Sequence, residues 1–258
     1  EGNGFPIVLI HGTGASLHTW DSWTKELEKT NRVIRLDLPA FGLTGKDPFK
    51  RYSAMDYVFL LNDFLNKLGV KEFHLAGNSL GGLVAWLYTS KYDKKVDKLL
   101  LLNPSGFSSD RTPFIIQLAK TPLINSFLRY FTPRVFIEKN LKEVYYNNSL
   151  ITTEIISRYH DLTLYEGNRE AFIDRANIKR EDYSMEMKKI KTPTLILWGK
   201  NDEWIPVSNS SKFKNAIENS KVVIMPETGH IPMEEKPIES LEIILDFIKP
   251  EKDSITSI

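Results

Sequence analysis

The chain has 258 residues, 41% hydrophobic and 26% charged, with a formal net charge of +1 and no cysteine. That length suits one large α/β domain or a core carrying an inserted lid. Near-neutral, interspersed charge removes the electrostatic case for a nucleic-acid partner, and the missing cysteines exclude disulfides, thiolate catalysis and cysteine-held metals.

The chain opens on Glu1-Gly2-Asn3-Gly4, with neither an initiator Met nor a signal-peptide pattern, so a processed or trimmed chain is expected, with its compartment left open among cytoplasmic, exported or anchored. Short apolar runs predict strands over 6–10, 32–37, 72–76, 98–103, 194–198 and 221–225, each covered on both faces. Helical patterns over 20–29, 54–68, 80–91, 208–217 and 237–248 alternate with them, the signature of βα units around a mostly parallel sheet. The rhythm breaks between 107 and 191. Helix-like stretches over 114–120, 124–131, 135–146, 152–164 and 169–176 follow one another there, several entered through Pro113, Pro122 and Pro133. The expected organisation is an α/β core in two parts, 1–106 and 192–250, a helical cap over 107–191, and a polar tail over 251–258. The longest apolar runs fall well short of the ~18 residues of a membrane span.

Gly77-Asn78-Ser79-Leu80-Gly81-Gly82 carries the most chemical information. It sits between a predicted strand and a predicted helix, and glycines two before and two after the serine permit a sharp turn that pushes its hydroxyl out of the sheet. The Leu80 N–H, at the helix start, is placed to hold an oxyanion. A serine needs a base and an orienting acid. His230, in Glu227-Thr228-Gly229-His230 after the last strand, is the candidate base. Asp202, four residues past the strand ending at Trp198, is the candidate acid, with adjacent Glu203 as its competitor. His11-Gly12-Thr13-Gly14 follows the first strand, and its Thr13 N–H is the candidate second oxyanion donor. His11 is expected to brace that turn, whereas His18, His74 and His160 are expected at the lid entrance, on a strand and in the cap.

These four ordered motifs make the chain resemble the α/β-hydrolase fold superfamily. The resemblance implies a Ser79–His230–Asp202 triad, an acyl-enzyme, and no metal or organic cofactor. Relatives usually carry Gly at the Ala40 position of Asp37-Leu38-Pro39-Ala40-Phe41-Gly42, and normally an antiparallel hairpin ahead of the His-Gly strand. Serine at the elbow argues against dehalogenases and epoxide hydrolases, which carry Asp there. Asn103, where relatives sometimes place the acid, is an amide and leaves Asp202 favoured. Phe107, Trp204, Ile205, Ile231 and Met233, beside the triad loops, are expected to line an apolar pocket for small to medium hydrophobic carboxylic esters. The alternatives are a carbon–carbon bond hydrolase of vinylogous diketones, a cofactor-free haloperoxidase or perhydrolase, and a receptor or interaction protein on the same scaffold. The 114–137 stretch mixes apolar and cationic residues as interfacial helices do, but solvated cap helices are the favoured explanation and membrane association is not indicated.

Overall fold

The computed structural model describes residues 1–107, 112–179 and 181–249. Six parallel strands form one sheet: β1 (Phe5–Ile10), β2 (Asn31–Leu36), β3 (Phe73–Asn78), β4 (Val96–Leu102), β5 (Thr194–Gly199) and β6 (Ser220–Met225), in the order β2-β1-β3-β4-β5-β6. Helices α1 (Asp21–Leu27), α2 (Ala54–Lys67) and α3 (Leu80–Tyr92) lie between the first four strands. Five more, α4 (Phe114–Lys120), α5 (Ile124–Leu128), α6 (Arg134–Val144), α7 (Thr153–Leu164) and α8 (Asn168–Ala176), separate β4 from β5. The chain closes with α9 (Asn209–Ala216), α10 (Pro232–Glu235) and α11 (Pro237–Ile248).

Alternation along the strands builds two cores. Val8, Ile10, Ile196 and Trp198 face α2, α3 and α9, joining Tyr57, Leu61, Trp86 and Phe213. Ile7, Leu9, Leu195 and Leu197 face the other way, onto Trp20, Trp23, Leu241 and Ile244 of the α1 and α11 layer. Double coverage is what makes the central strands continuously apolar. The edges depart from that expectation: Lys221 and Ile224 of β6 are exposed, because the outermost strand has a neighbour on one side only. Met187 and Ile190 pack into the α2/α3 core, so core packing resumes before residue 191. The expected tail over 251–258 lies outside the described residues. Among the described residues, no helix is long and apolar enough to cross a membrane.

The sheet order positions the site. Consecutive strands β1 and β2 run to one side, and β3 returns to pair with β1 on the other, with Ile10 opposite Gly77. Ligands of open parallel sheets bind outside the strand C-termini where the order reverses in this way. The turns after β1 and β3 therefore stand side by side at the natural crevice.

Ala40, in the loop after β2, has φ +80°, a left-handed conformation that explains why glycine suits this position. An L side chain costs about 1–2 kcal/mol there, against roughly 0.5–1 kcal/mol of extra unfolded-state freedom for glycine. Ala40→Gly is expected to raise unfolding free energy by up to about 1 kcal/mol in urea titration; a destabilised variant would contradict this.

Candidate active site

Ser79 occupies the junction between β3 and α3 with φ +52° and ψ −113°, the strained elbow that its flanking glycines predict. A Cβ on Gly77 would sit 2.2 Å from the Gly81 carbonyl oxygen, and one on Gly81 2.2 Å from that of Ile10, so neither position tolerates a side chain. Ser79 N–H donates to Leu102 O (3.1 Å), and Ser79 O accepts from Ser105 N–H (3.0 Å), fastening the turn to the end of β4. Leu80 is the first residue of α3, where an N–H has no carbonyl available within its own helix. Gly12 lies against this turn: a Cβ on it would come within 3.1 Å of Ser79 Cβ. The turn bearing Thr13 is thus held beside the serine.

His11 braces that turn. Leu38 N–H donates to Nε2 (3.0 Å), which makes Nε2 an acceptor and places the ring proton on Nδ1, donated to Gly12 O (2.8 Å). Complete burial keeps the imidazole below its ordinary value of 6.5. His18 contacts Ser16 Oγ (3.0 Å), His160 contacts Thr132 O (3.1 Å), and His74 lies on β3 against Phe5.

Asp202 and His230 meet at the ends of β5 and β6. His230 Nδ1 stands 2.7 Å from Asp202 Oδ2, and an acceptor-only carboxylate fixes the imidazole proton on Nδ1. Asp202 Oδ1 accepts the N–H groups of Trp204 (2.8 Å) and Ile205 (2.9 Å). Glu203, by contrast, is exposed. His230 Nε2 is buried and has no hydrogen-bond partner among the described residues, so no bond from Ser79 Oγ reaches it in this geometry. Such contacts commonly close only when substrate arrives. The two loops are nonetheless tied together, because Asn78 Nδ2 donates to His230 O (3.0 Å).

Several residues outside the expected set organise the site. Asn103 Nδ2 donates to Asp202 Oδ2 (2.7 Å), and Asn103 Oδ1 accepts from Gly199 N–H (3.3 Å). Glu235 accepts Gly229 N–H and Asn147 N–H, both at 2.7 Å. Glu234 accepts the hydroxyls of Thr19 and Tyr159 (each 2.5 Å) and Tyr145 (2.8 Å). Burial, reinforced by the Glu234 charge, raises both phenols and keeps their protons on oxygen. These acids stand in Met233-Glu234-Glu235-Lys236, ahead of the last predicted helix, where no sequence pattern singles them out; of these residues only Asn103 carries a signal, as the amide in an alternative acid position.

The expected pocket residues lie elsewhere. Phe107 packs edge-on against Phe213 (5.1 Å), and Trp204 covers the His230 ring (5.2 Å). Ile205 offers its carbonyl to Trp198 Nε1, while Ile231 and Met233 are buried in the α1/α11 core. None of the five is among the walls of the cavity under the helices between β4 and β5, and neither are Ser79 and His230. That cavity, about 770 Å³ counted to its open mouth, lies between the turns after β1 and β2 and the helices α4 to α8. Thr13, Phe41, Leu128, Ile137, Tyr159 and Phe172 are among its walls.

The family model for the α/β hydrolase fold matches residues 6–132 and 138–237. The chain belongs to the α/β-hydrolase fold family. Monoacylglycerol lipase ABHD6 of Mus musculus is 31% identical over 94% of this chain and 75% of its own length. A 2-hydroxy-6-oxo-2,4-heptadienoate hydrolase of Pseudomonas putida is 25% identical over 97% of this chain and 91% of its own. The fold of this α/β hydrolase also matches a meta-cleavage product hydrolase from Pseudomonas fluorescens, with TM-score 0.81 at 24% identity, covering 95% of this chain and 91% of that one.

Two outcomes follow. Asn103→Asp preserves shape but sets a second carboxyl against Asp202, raising its pKa; stability that survives in acid is then lost as pH rises through that value. The variant should be about 1–3 kcal/mol less stable than wild type at neutral pH in urea titration, with the deficit shrinking toward acid; a pH-independent deficit would contradict this. For His11, the unfolded chain takes up a proton as pH falls through 6.5 while the folded chain resists it, so stability drops below that pH. Wild type should lose up to about 1.4 kcal/mol more per pH unit there than His11→Gln; parallel profiles would disprove a neutral buried imidazole.

Proposed function

We propose that the protein is a serine hydrolase cleaving carboxylic esters of small to medium, hydrophobic substrates through an acyl-enzyme. One observation carries this most: the His230 imidazole is oriented by Asp202 at 2.7 Å, leaving Nε2 buried and unpartnered on a loop tied to the strained serine turn. Ser79 attacks the ester carbonyl as His230 Nε2 takes its proton, and Asp202 stabilises the imidazolium that results. The N–H groups of Thr13 and Leu80 hold the oxyanion, each donor contributing about 2.7–4 kcal/mol. His230 then protonates the leaving alcohol, and water releases the acid by the reverse sequence. The helices between β4 and β5 act as the cap, and their apolar inner walls favour a hydrophobic acyl or alcohol group.

A second reading has specific support in the 25% identity to the heptadienoate hydrolase. In it the same triad would cleave a carbon–carbon bond of a vinylogous diketone. Assay of a diketone beside a simple ester of matched size separates the two: esterase turnover with an inert diketone supports the first reading, and the opposite ranking the second.

Fluorophosphonate labelling with intact-mass readout tests the triad itself. Wild type should gain one adduct and Ser79→Ala none, with Ser79→Ala and His230→Gln each reducing kcat by about 10³-fold or more. Equal labelling of wild type and Ser79→Ala would assign the nucleophile elsewhere.

A further inference from the structure

The outer surface of α5 and the turn that follows it is apolar where a solvated helix is normally polar. Leu123, Phe127, Tyr130 and Phe131 recur at helical spacing, and backbone bonds from Phe127 to Leu123 and from Tyr130 and Phe131 to Phe127 put them on one side. Leu123 is 86% exposed, Tyr130 82%, and Phe127 and Phe131 54% each, with the two phenyl rings 5.4 Å apart. Val135, at the start of α6, is 60% exposed as well. The opposite side of the same helix carries Leu128, which is buried and lines the cavity. Contiguous exposed apolar surface of this kind marks an interaction site.

Charge selects the occupant. Residues 113–137 contain Lys120, Arg129 and Arg134 and no acid, in a chain whose 34 Lys and Arg nearly balance 33 Asp and Glu. Lys139 comes after Glu138, whose carboxylate is paired with Lys142 (2.7 Å), and its ammonium stands 3.6 Å from the Phe114 ring centre. A second copy of this chain meeting the same face about a twofold axis would set cation against cation. Aromatic and aliphatic side chains projecting outward among long cationic ones instead match the boundary between acyl chains and anionic headgroups.

We propose that this face docks on an anionic lipid surface, with Leu123, Phe127, Tyr130 and Phe131 entering the headgroup–acyl boundary and Lys120, Arg134 and Lys139 meeting the phosphates. The inner wall of the docked helix then faces the cavity, placing the hydrolytic pocket next to the bilayer. Docking needs no catalytic competence and is read separately from turnover.

The test is co-sedimentation of the whole chain with vesicles of phosphatidylcholine alone or mixed with phosphatidylglycerol, at low and high salt. Wild type should partition onto the mixed vesicles and lose most of that binding in pure phosphatidylcholine or high salt. Phe127→Ser/Phe131→Ser should weaken partitioning about ten-fold or more. Lys120→Glu should weaken it less, and both should keep the wild-type unfolding midpoint and turnover of a water-soluble ester. Wild type left in the supernatant with every vesicle, or a double variant that binds as wild type does, overturns the proposal. Concentration-dependent dimerisation abolished by the double variant would overturn it too, naming a second copy as the occupant.

Discussion

The Asp202 carboxylate is the point on which the site depends. A buried carboxylate without partners costs several kcal/mol, and this one is compensated by four donors: His230 Nδ1, Asn103 Nδ2 and the N–H groups of Trp204 and Ile205. Those donors come from the loops after β4, β5 and β6, so one charge draws three chain segments to one place. Close backbone approach makes this possible. A Cβ on Gly199 would meet Gly229 O at 2.0 Å, and one on Gly229 would meet Val144 O at 2.3 Å. The glycines in the Gly-x-x-Asp and Gly-His motifs are therefore steric requirements of the convergence, as much as turn residues.

The same loop joins the core to the helices above it. His230 N–H donates to Val144 O (2.7 Å) at the end of α6, and Glu235 holds Gly229 and Asn147 together. Glu234 clasps Tyr145 and Tyr159 from the helical segment and Thr19 from the core. The position of His230 and the closure of the cavity thus share one set of hydrogen bonds. Hydrogen bonds among residues 144–147 and 229–235 connect the helical segment to the loop carrying the proposed base.

Most of the framework was legible because its signals are local. Six apolar runs became six strands within two residues of their expected ends, and the elbow glycines pointed to a sharp turn, which Ser79 makes with φ +52°. Serine, acid and histidine each follow a strand end, and parallel strands deliver their C-terminal loops to one edge. What was not legible depends on contacts distant in sequence. Asn103 and Asp202 are 99 residues apart, and the hydroxyls of Tyr145 and Tyr159 reach Glu234 across 89 and 75 residues. Phe107, Trp204, Ile205, Ile231 and Met233 were adjacent to the motifs in sequence, yet their side chains turn into packing, whereas the cavity is walled by cap helices whose docking no local pattern reveals. The separate helix α10 left no sequence signal, because a four-residue helix that starts on Pro232 and ends two residues before Pro237 offers no periodicity.

Convergence of serine, imidazole, carboxylate and two backbone amides is tested most directly by a crystal structure of the phosphonylated enzyme. The proposed triad requires phosphorus on Ser79 Oγ, its outer oxygen between the N–H groups of Thr13 and Leu80, and His230 Nε2 within hydrogen-bonding reach of the adduct. An adduct on another side chain, or a phosphonyl oxygen turned away from both amides, would contradict it.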